Sequence, residues 1–98
     1  MENSPLNILQ QLMTITMEEC GELTQICSKT MRKFSTIDEV LEDTTRASVN
    51  RVKLIEEVGD VLCMIELMVE HGVLTNDELG ARITLKRDKL KTWSNLIK

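Results

Sequence analysis

Two stretches of this 98-residue chain decide its fold: residues 8–26, ILQQLMTITMEECGELTQI, and residues 53–71, KLIEEVGDVLCMIELMVEH. In each stretch one line of positions recurs at alternating steps of four and three residues, which is the spacing of a contact line between packed helices. The pattern predicts two long helices that pack along these lines, with carboxylates at packing positions. The first line comprises Ile8, Leu12, Ile15, Glu19, Glu22 and Ile26. The second comprises Lys53, Glu57, Asp60, Met64, Leu67 and His71.

The composition of the chain is typical of a helical protein. It contains 4 Gly, 1 Pro, 1 Phe, 1 Trp and no Tyr, so it is poor in the turn-forming and aromatic residues of β domains. Hydrophobic residues make up 42% of the chain and suit a packed helical core. We therefore predict an all-α helical bundle that forms a single domain over residues 1–98. Its three long helices are expected over residues 6–34, 49–70 and 76–96, with a short helix within residues 35–50.

The ends of these helices are predicted from capping residues. Ser4 and Pro5 suit the N-cap and the first helical position of the first helix. Gly72 suits the left-handed position that follows the last turn of the second long helix. Capping boxes predict the starts of the short helix and of the last helix. These boxes run from Thr36 to Glu39 and from Thr75 to Glu78.

Charge and hydropathy exclude several classes of protein. The chain has 12 Lys+Arg and 16 Asp+Glu, for a net charge of −4, whereas nucleic-acid binders are usually basic and offer aromatic side chains for stacking. The longest apolar run, residues 61–65, is much shorter than the roughly 20 residues of a membrane span. The N-terminal residues MENSPLN lack the basic and apolar regions of a signal peptide. We expect a soluble, cytoplasmic protein that binds neither nucleic acid nor membrane.

The sulfur-containing and aromatic side chains are predicted to be buried. Free cysteine is among the most buried residue types, and methionine fills irregular gaps in cores. The cysteines form no C-x-x-C pair and are expected to be reduced core thiols. Trp93 is expected in the core or in a subunit interface. The sulfur-containing side chains in question are Cys20, Cys27, Cys63, Met13, Met17, Met31, Met64 and Met68.

A repeated acidic motif carries the chemistry of the sequence. Residues 18–22, EECGE, and residues 56–60, EEVGD, both read E-E-x-G-[ED]. Carboxylates three residues apart lie on one helix face. Desolvating an unpaired carboxylate costs several kcal/mol, and four that converge repel one another unless a cation lies between them. Each motif places one pair on a contact line, namely Glu19 with Glu22 and Glu57 with Asp60.

The residue types of the motif indicate which cation would bind. Oxygen ligands without His or Cys favour Mg²⁺, with Mn²⁺ as a substitute, over Zn²⁺. The alternative is that these acids face solvent and pair with Lys or Arg, as surface acids commonly do. The motif glycines, Gly21 and Gly59, each weaken their helix by about 1 kcal/mol relative to Ala. Their presence predicts that another group approaches closely there.

The two motifs together resemble those of a known family. E-E-x-x-E followed by E-x-x-D on a second helix is similar to the signature of the MazG-like all-α nucleoside triphosphate pyrophosphohydrolases, which are related to dimeric dUTPases and phosphoribosyl-ATP pyrophosphohydrolase. The resemblance covers residues 9–93 and includes the apolar run VLCMIELM after the second motif. The 34 residues from 23 to 56 exceed the usual spacing of the family, and Leu67 stands where relatives often carry Asn. The motif residues are Glu18, Glu19, Glu22, Glu57 and Asp60.

The resemblance implies an enzymatic activity. A nucleoside triphosphate would be hydrolysed between its α- and β-phosphates, giving a nucleoside monophosphate and pyrophosphate. Glu18 and Glu19 would be the candidate catalytic residues, with Glu18 as an outer metal ligand or a base that orients water. Mg²⁺ would neutralise phosphate charge and orient the nucleophile. The metal ligands would be Glu19, Glu22, Glu57 and Asp60.

Cations for the phosphates are expected on two helices. Residues 81–98 carry six basic residues and one acidic residue. Lys86 is the one charged member of a contact line on the last helix, and Lys89 follows it at helical spacing. We predict Lys53, Lys86 and Lys89 as phosphate contacts. The alternative is that these lysines extend around a packed apolar line.

The size of the chain predicts an oligomer. Three or four helices in 98 residues cannot surround a four-carboxylate site and also bury every contact line, so we expect a homodimer or a dimer of dimers. Two other functions remain open. The chain can be a non-catalytic helical interaction module whose acids only make it soluble, or a phosphoribosyl-ATP pyrophosphohydrolase within the same family.

Overall fold

The chain is helical in the part that the structure describes. The computed structural model describes residues 5–43 and 49–97, which contain no strand. This confirms the predicted all-α class. None of the helices in the described residues contains an uninterrupted apolar stretch of the length that a bilayer requires. The helices are α1 (Ile8–Lys33), α2 (Ile37–Glu42), α3 (Val49–Glu70) and α4 (Asn76–Trp93).

Contacts divide the chain into two units, Met1–Glu66 and Leu67–Lys98. The first unit contains α1, α2 and most of α3, including both acidic motifs. The second contains the last turn of α3 and all of α4. The single domain over residues 1–98 stays a prediction.

The first helix begins at an Asn–Gln capping box. Asn7 Oδ1 accepts a hydrogen bond from the Gln10 backbone N–H at 2.8 Å, and Gln10 Oε1 accepts one from the Asn7 N–H at 3.0 Å. This exchange satisfies two N–H groups that the start of a helix leaves unpaired. The prediction that Pro5 is the first helical residue is wrong, because the box starts the helix at Ile8. Ser4, the predicted N-cap, lies outside the described residues.

The short helix α2 has half of its predicted capping box. The Glu39 backbone N–H donates to Thr36 Oγ1 at 3.2 Å, which makes Thr36 the N-cap as predicted. The Glu39 carboxylate instead accepts a hydrogen bond from the Ser35 N–H at 2.8 Å. The side chain of Glu39 therefore ties the residue before the N-cap to the first turn of α2.

A left-handed glycine ends α3, as predicted. Gly72 has φ +77°, and its N–H donates to the Val69 carbonyl at 3.0 Å. The Val73 N–H donates to the Met68 carbonyl at 2.9 Å. These two bonds form the Schellman motif and satisfy carbonyls that the last turn would leave unpaired.

The last helix begins where it was predicted and ends earlier. The Thr75 N–H donates to Glu78 Oε1 at 3.0 Å and the Glu78 N–H donates to Thr75 Oγ1 at 3.2 Å, so the predicted capping box is complete. The predicted end at residue 96 is wrong, because α4 stops at Trp93. Both the N–H and the hydroxyl of Ser94 donate to the Leu90 carbonyl, which caps the helix at this point.

The core of the first unit follows the two predicted contact lines. Leu12 and Ile26 on α1 are 5% and 4% exposed, and Glu57 and Met64 on α3 are 2% and 6% exposed. Both helices also contribute to a polar contact, since Asn50 Nδ2 on α3 donates to Thr30 Oγ1 on α1 at 2.9 Å. Asn50, which is 8% exposed, was not singled out from the sequence, although it lies seven residues before Glu57 on the same helix face.

The prediction that the sulfur-containing side chains fill the core is largely wrong. All three cysteines are exposed and free. Met17 is 68% exposed and Met31 84% exposed, because both lie off the contact line of α1. Met64 is buried because it lies on the contact line of α3. Trp93 is 83% exposed, so its burial in a core within the chain is also wrong.

The motif glycines have open space around them. A Cβ atom built on Gly21 or Gly59 meets no atom of the described residues within 4 Å. The close approach expected from the sequence is therefore absent within the part of the chain that the structure describes.

Because the space around Gly59 is open, an added methyl group should be tolerated there. Gly59→Ala is expected to raise the free energy of unfolding of the metal-free protein by about 0.5–1 kcal/mol, because Ala restricts the unfolded chain and favours helix. Gly72→Ala is the matched control and is expected to destabilise, since its positive φ strains any side chain. Urea unfolding at fixed protein concentration measures both. A loss of stability in Gly59→Ala would contradict the prediction and would indicate an approach by a second copy of the chain.

Candidate metal centre

The four predicted metal ligands come together in the first unit. Glu19 and Glu22 project from α1, and Glu57 and Asp60 from α3. Each carboxylate contributes one oxygen to a group in which all atoms lie within 4.8 Å of one another. The i, i+3 spacing on each helix and the packing of the two helices produce this convergence. We call these four residues the acidic cluster.

Glu57 is the most buried member of the acidic cluster. Its side chain is 2% exposed, and its Oε2 has no hydrogen-bond partner among the described residues. Glu19 is half-buried, and its Oε2 also lacks a partner there. A buried carboxylate oxygen without a donor is unfavourable unless a cation satisfies it. The cluster therefore contains acceptor capacity that the described residues do not use.

One lysine partly neutralises the cluster. Lys53 Nζ lies 2.8 Å from Glu57 Oε1 and 3.7 Å from Glu56 Oε2. Lys53 precedes Glu57 by one helical turn, so the ion pair follows from the i, i+4 spacing. The hydrogen bond from Lys53 lowers the pKa of Glu57, and the same contact raises the pKa of Lys53.

The solvent-exposed alternative for the acids holds for Glu56, which is exposed and lies near Lys53. It holds in part for the cluster, because Glu22 and Asp60 are exposed. It does not hold for Glu57, which is 2% exposed, or for the half-buried Glu19. Among residues 5–43 and 49–97, no Lys or Arg pairs with Glu19, Glu22 or Asp60. One ammonium group thus faces four carboxylates, which leaves an excess of negative charge.

This excess charge raises the pKa values of the two α1 glutamates that belong to the acidic cluster. Burial raises the pKa of Glu19 above its usual value, and the negative charges of Glu22 and Asp60 raise it further. A protonated Glu22 would donate a hydrogen bond to Glu57, and this contact, together with the negative charge of Glu57, raises the pKa of Glu22. Both glutamates are therefore easier to protonate than a free glutamate, and a divalent cation would compete with these protons.

The donor set fits a hard divalent cation. The ligands are carboxylates, with no His or Cys in the group, and this favours Mg²⁺ or Mn²⁺. Magnesium binds oxygen at about 2.1 Å, so two oxygens on opposite sides of the ion are about 4.2 Å apart. The upper limit of 4.8 Å in the cluster is close to this separation.

Comparison with known proteins finds no relative of this chain. No family model matches it, no curated protein is similar to it, and no solved structure matches its fold. The resemblance to the MazG-like family therefore depends on the motif residues. What that resemblance implies for catalysis and cofactor is a proposal.

The other predicted site residues lie outside the acidic cluster. Glu18 is exposed and is not one of the four converging carboxylates. Lys86 and Lys89 are exposed on α4, in the second unit. Their roles as catalytic residue and phosphate contacts stay predictions. Lys53 contacts the cluster through its ion pair with Glu57.

A small polar pocket adjoins the acidic cluster, and two of its six lining residues, Gln25 and Lys29, were not singled out from the sequence. Its volume is about 160 Å³. Lys29 was not singled out, although it lies seven residues after Glu22 and therefore on the same face of α1. We call this the lysine pocket. Its lining residues are Glu22, Gln25, Ile26, Lys29, Lys53 and Glu57.

A larger apolar groove occupies another part of the first unit. It has a volume of about 390 Å³, within the range of small-molecule sites. Side chains from the end of α1, from α2 and from α3 line it, among them Met31, Phe34, Ile37 and Leu54. Cys27 also borders this groove, so it adjoins apolar side chains without being buried.

Proposed function

We propose that this chain is a Mg²⁺-dependent nucleoside triphosphate pyrophosphohydrolase, with Mn²⁺ as a substitute metal. One observation carries the proposal: four carboxylates converge within 4.8 Å, and the most buried of them, Glu57, has an oxygen without a partner among the described residues. An empty acidic cluster is unfavourable, and a divalent cation that also binds phosphates relieves the repulsion. The motif resemblance supplies the reaction class.

The proposed reaction assigns separate tasks to the residues. Glu19, Glu22, Glu57 and Asp60 would hold the metal, which supplies charge neutralisation and an activated water. The water oxygen bonds to the α-phosphorus, and the bond from that phosphorus to the bridging oxygen of the β-phosphate breaks. The water proton passes to a carboxylate. Glu19 and the neighbouring Glu18, which lies outside the acidic cluster, are the candidate bases.

Pyrophosphate release tests this activity directly. The full chain is incubated with Mg²⁺ and a panel of ribo- and deoxynucleoside triphosphates, and nucleotide products are resolved together with pyrophosphate. We expect a nucleoside monophosphate and pyrophosphate in equal amounts, with no release in EDTA. If the folded protein releases pyrophosphate from none of them, the general activity is rejected. Phosphoribosyl-ATP as an additional substrate distinguishes the specialised hydrolase from the general one.

Exposed apolar side chains support the proposed homodimer or dimer of dimers. Ile37 is 77% exposed, Leu41 59%, Ile55 53% and Leu62 53%, all within the first unit. Extensive exposed apolar surface marks interfaces. We expect light scattering after gel filtration to give two or four times the chain mass. A monomer at micromolar concentration would contradict this expectation. The proposed location of the assembly is the cytoplasm.

The same exposed side chains favour the alternative of a non-catalytic helical interaction module. The two functions differ in what the acidic cluster does. In a module, Mg²⁺ leaves the melting temperature unchanged, and replacing Glu19 or Asp60 with Ala is harmless or stabilising. In the hydrolase, Mg²⁺ raises the melting temperature and these substitutions abolish that effect.

A further inference from the structure

The lysine pocket is built from both helices that carry the acidic cluster. On α1, Glu22 and Lys29 stand two turns apart on one face, with Gln25 between them. On α3, Lys53 and Glu57 stand one turn apart. Glu22 and Glu57 belong to the cluster as well as to the pocket. The pocket is therefore continuous with the candidate metal centre.

The charges of the pocket suit an anion only when a cation is present. Lys53 is paired with Glu57 at 2.8 Å, whereas Lys29 has no carboxylate partner in the described parts of the chain. The amide of Gln25 adds a hydrogen-bond donor. Two lysines against two carboxylates leave the pocket with no net positive charge. With the other two members of the acidic cluster included, four carboxylates and two lysines carry a charge of −2. A divalent cation in the cluster would bring this charge to zero and remove the repulsion of phosphate oxygens from the pocket.

The volume of the lysine pocket limits the size of the anion that it can hold. A volume of about 160 Å³ accommodates the equivalent of about five water molecules. Pockets for drug-sized molecules begin at about 300 Å³. The pocket is thus suited to a short phosphate chain, and a nucleoside would have to lie outside it.

We propose that the lysine pocket binds the β- and γ-phosphates of the substrate, and the pyrophosphate product after hydrolysis. This inference rests on the proposed function, because it requires the divalent cation that Glu22 and Glu57 would help to hold. Lys29 and Lys53 contact phosphate oxygens in this arrangement. Lys29 is the residue that neither the motif nor the resemblance assigns.

Calorimetric titration of the full chain with pyrophosphate, in Mg²⁺ and in EDTA, tests this assignment. Lys29→Gln is expected to weaken pyrophosphate binding by about tenfold or more, as expected for loss of a charge-assisted hydrogen bond. Lys29→Arg keeps most of the affinity. Lys33→Gln is the matched control, since it removes the same charge one turn later on α1, where the ammonium lies 4.0 Å from Asp43. It is expected to change the affinity by less than about twofold. Circular dichroism checks that each variant is folded.

The outcomes separate failure of the pocket from failure of the function. If the wild type hydrolyses nucleoside triphosphates but Lys29→Gln binds pyrophosphate as tightly as wild type, the pocket assignment is wrong and the proposed function stands. Equal weakening in Lys29→Gln and Lys33→Gln also overturns the assignment, because it reflects net charge alone. Binding in EDTA as tight as in Mg²⁺ also overturns the assignment, because the pocket would then hold the anion without a cation. If wild type binds neither Mg²⁺ nor pyrophosphate, both proposals are rejected.

Discussion

Glu57→Gln is expected to abolish both the stabilisation by Mg²⁺ and the release of pyrophosphate. Glu57 is the most buried carboxylate of the acidic cluster, and glutamine keeps its shape while removing its charge. Substitution of groups that only support a metal ligand typically costs 10–100-fold, so loss of a ligand should cost at least about 100-fold in activity. At a Mg²⁺ concentration 100 times the dissociation constant, wild type should gain about 2.7 kcal/mol of stability. The variant should gain almost none.

Glu56→Gln is the control for this experiment. It makes the same chemical change on the neighbouring residue of α3, where the side chain is 57% exposed and lies outside the acidic cluster. It should keep the Mg²⁺ stabilisation and the activity within about twofold. Thermal unfolding at fixed protein concentration and a pyrophosphate assay provide the two readouts. Equal losses in both variants would mean that the effect comes from the change in net charge and not from a lost metal ligand. If Mg²⁺ still stabilises Glu57→Gln as much as wild type, the proposed metal centre is wrong.

The acidic cluster was predictable from the sequence because helical spacing alone determines which side chains share a face. Glu19 and Glu22 stand on the same contact line as Leu12 and Ile26, and the burial of those two apolar residues fixes where the line points. The same argument applies to α3, where Met64 follows Glu57 by seven residues. When α1 and α3 pack along these contact lines, the acids on one line therefore meet the acids on the other.

Helical spacing alone did not predict which of two possible capping pairs starts a helix or which group a charged side chain contacts. Ser4 with Pro5 and Asn7 with Gln10 are both reasonable helix starts, and only the reciprocal hydrogen bonds of the second pair select it. Lys53 was expected to contact phosphate, but in the structure its nearest partner is Glu57, one turn away. The cysteines were expected in the core because free thiols are usually buried. They are exposed because none of them lies on the contact line of its helix.

Glu19→Gln is expected to be more stable than wild type in EDTA at neutral pH and less stable in Mg²⁺. The folded-state pKa of Glu19 is raised, so its contribution to stability is present below the usual pKa of 4.5 and is lost as the pH rises through the folded-state pKa. The raised pKa of Glu22 has the same sign. Glutamine mimics the protonated carboxyl and removes the penalty for Glu19. The stability advantage of the variant should therefore shrink to nothing as the pH falls below 4.5.

The pKa values of Glu57 and Lys53 are also shifted, but their effects on stability are common to wild type and Glu19→Gln. The lowered pKa of Glu57 gives stability above 4.5 that is lost as the pH falls, and the raised pKa of Lys53 gives stability that is lost only at alkaline pH. Both groups are present in wild type and in Glu19→Gln, so the difference between the two proteins reports Glu19 together with its interaction with Glu22. Glu18→Gln, exposed and outside the cluster, is the control for helix propensity and net charge. Melting curves from pH 4 to 8, with EDTA or Mg²⁺, measure the effect. A variant that is less stable than wild type in EDTA would show that the cluster is not repulsive, and the physical reason for a cation there would be lost.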